Sequence, residues 1–412
     1  MRHTEDFVKK VLEKTDIVKL ISSYTKLHKK DDVYIGKCVF HKGTENTLTV
    51  RPDKQSFHCF DCGKSGNAVV FLMEHNKISH EHAVNILAKK AGIHAEEKDY
   101  EKEQNMVLKS NLYEIYKDAA LFYRRKLMEP EGEDALSYLK GRELTDKTIE
   151  TFKLGFSPSK GNSLYKYLKQ KGYEKDLMVQ AGLVKISENG PYDMFRGRVM
   201  FPIIDAQNRV IAFSGRVMDP EIKPKYLNSP ESPIFNKGAT LYGLSNAKNL
   251  GNVNYFILCE GQMDVIALHQ AGFRNSVAGL GTAFTPLHVH ELQKYTKNAI
   301  LSYDGDEPGQ KAAIRAIKEL SKSDMGVRVL SMDPYKDPDE FIKALGKNEY
   351  KMRINRSIDQ TDFQLRRFAS QFDLSIPEQK QEFLSKAVDL IMEKQDRQDR
   401  QKDKQKTQQR ER

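Results

Sequence analysis

The sequence predicts a multidomain α/β protein. From the N-terminus we expect a zinc ribbon with helices, a mixed α+β basic subdomain joined to a doubly wound parallel sheet, a short helical segment and a disordered tail. Three observations favour this fold class. A chain of 412 residues accommodates two or three domains. Two pairs of metal-binding side chains lie near the N-terminus, and residues 254–345 alternate short apolar runs with helical patterns, as βαβ units do.

The overall composition is typical of a soluble globular protein with a polyanionic partner. Hydrophobic residues make up 39% of the chain and charged residues 30%, and the net charge is +10 with a pI of about 9.1. No apolar run approaches the ~20 residues of a membrane span, and the charged N-terminus is no secretory signal, so we expect a cytoplasmic protein without membrane contact. Four cysteines, three of them at metal-ligand spacing, favour a reducing compartment.

Two pairs of side chains predict a zinc site. Cys38-x2-His41 and Cys59-x2-Cys62 flank a stretch with two strand-like runs, and thiolate and imidazole are the ligands that tetrahedral Zn²⁺ prefers. His58 is a rival ligand, but it alternates with Cys59 along a predicted strand and should face the other way. We therefore expect one structural zinc ion held by the two pairs, because a domain this small needs such a cross-link to fold.

Shifts in composition divide the chain into six segments. A polar, charged stretch follows the helical pattern that stops at Gly92, which is typical of a linker, and the last residues have no apolar side chains to bury, which predicts disorder. The predicted segments are a zinc-binding domain (1–94), a linker (95–110), a basic subdomain (111–253), a catalytic subdomain (254–345), a helical segment (346–393) and a disordered charged tail (394–412).

Basic and aromatic residues dominate the stretch before the predicted parallel sheet. Residues 194–218 predict a two-stranded hairpin that turns around Ala206–Asn208, and residues 223–244 predict a long loop rich in Pro, Ser, Asn and Gly. Long loops inside compact regions tend to be functional, and aromatic side chains between cations suit single-stranded nucleic acid, whose bases stack while its phosphates pair. Residue types alone do not distinguish such a surface from an ordinary solvated one.

Carboxylates follow three predicted strands of the parallel sheet. The apolar runs at 254–259, 298–303 and 327–331 each lead into acidic residues. Because the carboxyl ends of parallel strands face one crevice, we expect these side chains to meet in space. Six neighbouring carboxylates repel one another unless cations lie between them, which predicts a Mg²⁺ or Mn²⁺ site. The six residues are Glu260, Asp264, Asp304, Asp306, Asp337 and Asp339.

Several motifs occur in one order over roughly positions 1–390. The two zinc knuckles come first, then FRGRVMFPI, SGR, KYLNSPE, IFNKG and LYGL, and finally EG-x-MD, GLGTAFT, YDGD-x-x-G and DPDEF. In these motifs and their order the sequence resembles the bacterial DNA primases of the DnaG type, which combine a CHC2 zinc-binding domain with a Toprim-containing RNA polymerase domain. Several separate motifs in the order of the family are more specific than any one of them.

The resemblance implies DNA-directed synthesis of short RNA primers for replication, by nucleotidyl transfer with Mg²⁺ or Mn²⁺. It implies that Glu260, Asp304 and Asp306 are catalytic and that the six carboxylates bind the metal. The implied partners are a single-stranded DNA template, ribonucleoside triphosphates and the RNA primer–DNA hybrid, with the zinc domain helping to recognise the template, and we expect a monomer. The implied nucleotide and template contacts are Arg198, Arg216, Lys225, Asn228 and Lys237.

The sequence also departs from the pattern of the family. Gln262 stands where an aromatic residue is common, Pro308 where alanine is usual, and Val39 where proline is usual, but no ligand or carboxylate is lost. The stretch between His41 and Thr49 differs too, which leaves template recognition by the zinc domain open. Full-length relatives continue with a helical domain that docks on the replicative helicase, whereas this chain continues into a charged tail, so we expect helicase coupling to be weakened or absent.

Two other functions stay open at this point. A degenerate primase that only binds single-stranded DNA would explain the basic loop, although its acidic set would be expected to decay and here it is intact. Another Toprim enzyme is the second alternative. A topoisomerase would need a domain with a tyrosine nucleophile, and a nuclease of this kind would need an ATPase with a P-loop; the sequence shows evidence of neither.

Overall fold

The computed structural model describes residues 5–410 apart from 42–45, 94–96, 220, 252, 282 and 324, and it divides into two compact units, 1–107 and 108–412. Residues 95 and 96 of the predicted linker and residues 411 and 412 of the predicted tail lie outside the described residues. Among the described helices, none combines the length and the apolar character that crossing a bilayer requires.

The first unit is a small antiparallel sheet packed against helices. Its sheet has strands in sequential order, so each neighbouring pair is a local connection. Alternation along β3 and β4 buries Leu48, Val50, Phe57 and Cys59 on one face, as the period of a strand requires. The elements are α1 (Glu5–Glu13), α2 (Ile17–Ser22), β1 (Leu27–Lys30), β2 (Val33–Gly36), β3 (Leu48–Arg51), β4 (Ser56–Cys59), β5 (Ser65–Gly66), α3 (Ala68–Asn76) and α4 (His80–Lys90).

Helices and a four-stranded antiparallel sheet follow. The predicted hairpin is confirmed as β9 and β10, with Phe213 opposite Pro202, and the sheet order is β11-β10-β9-β6. The elements are α5 (Glu97–Met128), which spans the division between the units, α6 (Glu133–Gly141), α7 (Asp146–Thr151), β6 (Gly155–Ser157), α8 (Ser163–Gln170), α9 (Lys175–Gln180), β7 (Val184–Ser187), β8 (Gly190–Asp193), β9 (Arg198–Ile204), β10 (Val210–Val217) and β11 (Tyr226–Asn228).

The predicted parallel sheet is confirmed, with strand order β13-β12-β14-β15-β16 and an antiparallel β16 at one edge. Strands β12 and β14 are central, so the chain leaves both of them at the same edge of the sheet. The elements are α10 (Leu244–Ala247), β12 (Phe256–Cys259), α11 (Gln262–Gln270), β13 (Ser276–Ala278), α12 (Pro286–Gln293), β14 (Asn298–Leu301), α13 (Glu307–Ser321), β15 (Gly326–Val329), α14 (Pro338–Asn355) and β16 (Ile358–Asp359).

Two helices form the C-terminal segment. After α15 (Gln360–Ala369), helix α16 runs from Pro377 to Arg410 and includes the described residues of the predicted tail, whose disorder in solution stays a prediction. The described part of the predicted linker, from Glu97 onwards, is also helical. The physical reason is helix propensity: Gln, Lys, Arg and Glu lose little side-chain freedom in a helix, and pairs four residues apart, such as Gln395 with Asp399, support it without a buried core.

Helix α14 depends on one buried ring. Phe341 is fully buried and contacts Tyr335 and Tyr350 edge-on, with ring centroids 5.6 and 5.8 Å away. We expect Phe341→Ala to lower the free energy of unfolding by about 3–5 kcal/mol, because a large cavity would remain. Met352→Ala, at a site that is 44% exposed and lies beyond the break in α14 at Gly346, is the control and should change it by less than about 1 kcal/mol. Urea unfolding measures both; equal losses would contradict this packing.

Candidate metal centres and nucleic-acid surface

The four predicted zinc ligands meet in the first unit. The ligating atoms of Cys38, His41, Cys59 and Cys62 all lie within 4.8 Å of one another. The Sγ atoms of Cys38 and Cys62 are 3.9 Å apart, and two sulfurs bound to one tetrahedral zinc at about 2.3 Å each would be about 3.8 Å apart. Nε2 of His41 lies 3.3 Å from Sγ of Cys59. The donor set and its spacing therefore fit Zn²⁺.

Hydrogen bonds around the second knuckle favour the thiolate form of Cys59. Burial opposes ionisation of Cys59, but hydrogen bonds from the Cys62 and Asp61 amides and from Thr47 outweigh it and lower the pKa of the thiol to about 5. Nδ1 of His41 lies 3.3 Å from the carboxylate of Asp61, which orients the ring so that Nε2 points towards the cysteine ligands. Sequence reasoning missed Asp61, although its place inside the second knuckle was a signal.

His58 faces away from the zinc ligands, as the alternation along its strand predicted. It is exposed while Phe57 and Cys59 on either side of it are buried. Its ring packs edge-on against Phe60, with centroids 4.6 Å apart, and Phe60 is 70% exposed. Arg51 is exposed on the neighbouring strand β3. The outer face of this sheet thus presents an aromatic and basic surface.

Glu260 and Asp304 lie side by side at the edge of the parallel sheet. Each follows a central strand, β12 or β14, and Oε1 of Glu260 accepts a hydrogen bond of 2.9 Å from the backbone amide of Asp304. Glycine at position 309 permits this approach, since a Cβ there would lie 2.6 Å from Oε1 of Glu260 and 2.4 Å from the Asp304 carbonyl. The adjacency of β12 and β14 therefore brings two of the predicted residues together.

Three further carboxylates sit at helix N-termini along the same edge. Asp264 accepts from the Gly261 amide at 3.1 Å in α11, Asp306 caps α13 and Asp337 caps α14. The amides that Asp306 and Asp337 accept from, at 3.0 and 2.8 Å, lie in the first turn of their helices. Because unpaired N–H groups make a helix N-terminus positive, each cap holds its carboxylate in place near the others.

The carboxylates destabilise one another's charged forms. Burial, with added repulsion from Glu260, Asp337 and Asp306, raises the pKa of Asp304 to about 7. Burial also raises the pKa of Glu260, and it raises that of Asp264 well above its usual range, with repulsion from Asp337 and Asp304 adding to it. A cation would relieve this repulsion. These carboxylates, which with Asp339 we call the acidic edge, are therefore chemically suited to a divalent cation.

The acidic edge is wider than the zinc site. Within the described residues, the zinc ligands are the one group of three or more ligating side chains close enough to share an ion. Wider spacing suits Mg²⁺, which usually keeps several waters and is held by one or two carboxylates together with substrate phosphates. Water molecules and oxygen atoms of the substrate would complete the coordination of such an ion.

Asp339 differs from the other five carboxylates because cations already neutralise it. It is 1% exposed, it pairs with Arg142, and Nζ of Lys343 lies 3.0 Å from it. Among the described residues, none donates a hydrogen bond to its Oδ1 atom. Lys343 lies four residues along the helix from Asp339, which is a local signal, whereas Arg142 lies 197 residues away in sequence and no local pattern connects it to Asp339.

The structure divides the predicted nucleic-acid contacts into two kinds. Arg198 is 6% exposed, and its Nη1 atom donates to the carbonyls of Gly215 and Pro224 at 3.0 Å each, so it holds the chain just before Lys225 rather than facing solvent. Asn228 likewise donates to the Leu280 carbonyl at 2.8 Å. A direct contact of either side chain with nucleic acid stays a prediction.

Arg216 and Lys225 instead belong to a group of neighbouring cations. Arg216 donates to the hydroxyl of Tyr226 at 3.0 Å and lies over the rings of Tyr226 and Tyr138. Partial burial lowers the pKa of Lys225, and the positive charges of Arg216, Lys336, Arg142 and Lys223 lower it further. We call Arg142, Arg216, Lys225 and Lys336 the cation cluster. Such mutual repulsion favours an anionic ligand.

Lys336 connects the cation cluster to the acidic edge. Its Nζ atom is 3.7 Å from Oδ2 of Asp306, and its charge also acts on Asp304 and Glu260. Sequence reasoning missed Lys336, although its position one residue before Asp337 in DPYKDPDE was a signal. Opposite charges thus meet at this edge of the sheet, as a ligand with phosphates and bound cations would require.

Comparisons with known proteins agree with this arrangement. Residues 3–103 match the family described as CHC2 zinc finger, residues 122–248 the family described as DNA primase catalytic core, N-terminal domain, and residues 257–342 the Toprim-like family. A DNA primase of Pseudomonas putida KT2440 is 41% identical over 361 residues, which cover 85% of this chain and 54% of that relative. The chain therefore spans about half the length of that relative.

Solved structures are similar too. The zinc-binding and RNA polymerase domains of Aquifex aeolicus primase are 32% identical, with a TM-score of 0.60 over 96% of this chain and 97% of that one. A DnaG primase catalytic domain bound to ssDNA is 34% identical, with a TM-score of 0.62 over 70% of this chain and 92% of that one.

The contact between Asp61 and His41 predicts a graded effect on zinc. We expect Asp61→Asn to weaken zinc affinity by about 10–100-fold, because the imidazole loses the carboxylate that orients it. Competition with a chromophoric chelator measures this affinity. Asp53→Asn, at an exposed position outside the ligand set, is the matched control and should bind zinc like the parent protein. Equal affinity of both variants would contradict the role of Asp61.

The raised pKa of Asp304 predicts a pH-dependent stability difference. Its folded pKa, about 7, exceeds the ordinary aspartate pKa of 3.8, so the neutral form favours folding and that contribution is lost as pH rises between these values. Without divalent cations, Asp304→Asn should therefore be about 2 kcal/mol more stable than the parent at pH 8, with a smaller gap near pH 5, allowing for partial solvation of the site.

Urea unfolding at both pH values measures this gap. Asp176→Asn, at an exposed position in α9, should show no such pH-dependent gap. Adding Mg²⁺ should stabilise the parent protein and not Asp304→Asn, because a ligand that binds the folded state stabilises it. A gap that stays constant between pH 5 and pH 8 would contradict the crowding of carboxylates at this edge.

Proposed function

The chain belongs to the family of DnaG-type bacterial DNA primases, and from that premise we propose that it synthesises short RNA primers on single-stranded DNA by nucleotidyl transfer that depends on Mg²⁺ or Mn²⁺. The observation that carries this proposal is the meeting of the acidic edge and the cation cluster around Lys336. Nucleotidyl transfer needs both, since the triphosphate and its cations must be bound together.

Glu260, Asp304 and Asp306 are the proposed catalytic residues and the principal holders of the cation. When bound there, a divalent cation supplies a lowered pKa for the attacking 3′-hydroxyl and neutralises charge on the departing pyrophosphate. The Glu260 carboxylate stays anchored by the Asp304 amide, and Asp306 by the Gly309 amide, so both are fixed before substrate arrives. Asp264 and Asp337 extend the acidic edge.

We propose that Asp339 contributes to the metal site together with Arg142, with which it forms an ion pair. Its pairing with Arg142 and Lys343 holds the guanidinium beside the acidic edge, where it also contributes to the cation cluster. Two other members of the cluster, Arg216 and Lys225, are proposed to bind the triphosphate. Lys237 and Asn228 on the adjoining segments are proposed to contact template or nucleotide, and Arg198 to support Lys225 from behind.

The proposed partners are a single-stranded DNA template, ribonucleoside triphosphates and the RNA primer–DNA hybrid. The solved relative that is bound to ssDNA supports the first. In the first unit, the outer face that carries Arg51, His58 and Phe60 is proposed to recognise the template, because exposed aromatic rings stack on bases while cations pair with phosphates. Reduced cysteines around a zinc site support a cytoplasmic location.

Catalysis is favoured over binding alone because all six carboxylates are present and because burial, with added repulsion from neighbouring carboxylates, raises the pKa values of Glu260, Asp264 and Asp304. In a protein that only bound single-stranded DNA, carboxylates without a cation beside the phosphate site would have no use, since they would repel the phosphates. The intact acidic edge is thus the feature that separates these two functions.

Primer synthesis tests the proposal. Purified protein, several single-stranded templates, labelled ribonucleotides and Mg²⁺ or Mn²⁺ should yield template-dependent oligoribonucleotides. Asp304→Asn should reduce the yield by at least about 100-fold, because the cation loses a ligand that also crowds Glu260. Asp176→Asn is the matched control for the chemistry of the substitution and should retain the parent yield.

Three outcomes would count against this function. Absence of product with every template and both metals would remove the polymerase assignment. Cleavage of the template without synthesis would favour a nuclease or topoisomerase activity of the Toprim domain. Tight template binding that is unaffected by Asp304→Asn, with no product, would favour a binding protein.

A further inference from the structure

The N-terminus of α12 reaches into the loop that carries Lys237. Thr285 caps the helix and accepts a hydrogen bond of 3.2 Å from the His288 amide, while Nδ1 of His288 accepts one of 3.2 Å from the Thr285 amide. The two residues thus form a reciprocal capping box in which a histidine takes the place of the usual glutamate or glutamine.

Both capping residues also bind the loop. Nε2 of His288 lies 2.9 Å from the carbonyl oxygen of Lys237, and Oγ1 of Thr285 donates to the carbonyl of Gly238. Because Nδ1 of His288 accepts from Thr285, the ring proton must lie on Nε2, which makes Lys237 the acceptor. Two consecutive carbonyls of the loop are therefore held by one helix end.

These contacts are shielded from solvent. His288 is completely buried, and burial lowers its pKa, so the neutral ring that both hydrogen bonds require is the stable form. The loop is fixed from its other side as well, because the Lys237 amide donates to Glu231 at 2.9 Å and the Gly238 amide to Asn236 at 2.8 Å. The backbone of Lys237 is thus held through both its amide and its carbonyl.

The ammonium group of Lys237 is available to bind a phosphate. Lys237 is half-buried, and within the described part of the chain its ammonium forms no ion pair. A flexible lysine loses conformational freedom when it binds a phosphate, and a backbone that is already ordered reduces that loss. Fixing Lys237 in advance would therefore strengthen binding without adding a contact.

We propose that His288 and Thr285 are positioning residues that act through Lys237 on nucleic-acid phosphate. This inference rests on the proposed function, in which Lys237 contacts template or nucleotide. Neither residue touches the substrate in this account. Their effect passes through the two loop carbonyls, so it should vanish when the Lys237 side chain is removed.

A double-mutant cycle tests this coupling. Fluorescence anisotropy would measure the affinity of the full chain for single-stranded DNA at several salt concentrations. Lys237→Ala should weaken binding by about fivefold and reduce the dependence on salt by about one ion, as expected for one phosphate contact. His288→Leu should weaken binding by a similar factor, and the double variant should bind no more weakly than Lys237→Ala alone.

Conservative and matched variants separate positioning from general stability. His288→Gln should restore most of the affinity, because its amide can donate to the Lys237 carbonyl and accept from Thr285. His269→Leu removes another buried histidine, which binds the Ser276 carbonyl at 2.8 Å, and its effect should add to that of Lys237→Ala. If His288→Leu fails to fold, Thr285→Val compared with Thr285→Ser provides the same cycle through Gly238.

The outcomes distinguish this inference from the proposed function. Additive effects of the Lys237 and His288 substitutions, or parent-like binding by His288→Leu, would overturn the inference while primer synthesis stands. Parent-like binding and synthesis by Lys237→Ala would overturn it as well, because the lysine would have no role to position. Failure of the parent protein to make primers would instead remove the proposed function.

Discussion

Burial of neighbouring carboxylates at the acidic edge is the constraint on which the site in the second unit depends. The adjacency of β12 and β14 places Glu260 beside Asp304, and the helices that follow the strands place Asp264, Asp306 and Asp337 around them. Burial and neighbouring charge raise the pKa of Asp304 to about 7, so the folded chain maintains charge that destabilises it. Such destabilising pKa shifts are common at functional sites, where the charged groups serve a ligand.

Cations lie beside this edge, as a phosphate ligand would require. Lys336 stands between the carboxylates and the cation cluster, and Lys225 lies near several like charges that depress its pKa. Arg198 does not join the cation cluster; it holds the carbonyls beside Lys225, while His288 and Thr285 hold those of Lys237 and Gly238. Charged side chains that would meet the substrate are thus supported by buried ones that would not.

The sequence predicted those features that depend on residues close together in the chain. Paired ligand spacing identified the four zinc ligands, and strand alternation excluded His58, because both signals lie within a few residues. The parallel sheet and its acidic strand ends followed from alternating apolar runs. Tertiary contacts were not predictable: Arg142 reaches Asp339 across 197 residues, and the burial of Arg198 depends on how β9, β10 and the segment before β11 pack. The absence of apolar residues in the tail predicts disorder in solution, and helix α16 extends over its described residues.

Anomalous diffraction at the manganese edge would locate the cation at the acidic edge. Crystals of the protein grown with Mn²⁺ and a ribonucleoside triphosphate should show manganese at about 2.1 Å from carboxylate oxygens of Glu260, Asp304 or Asp306, with the triphosphate against Arg216 and Lys225. An ordered acidic edge without manganese, with the triphosphate bound elsewhere, would contradict the account.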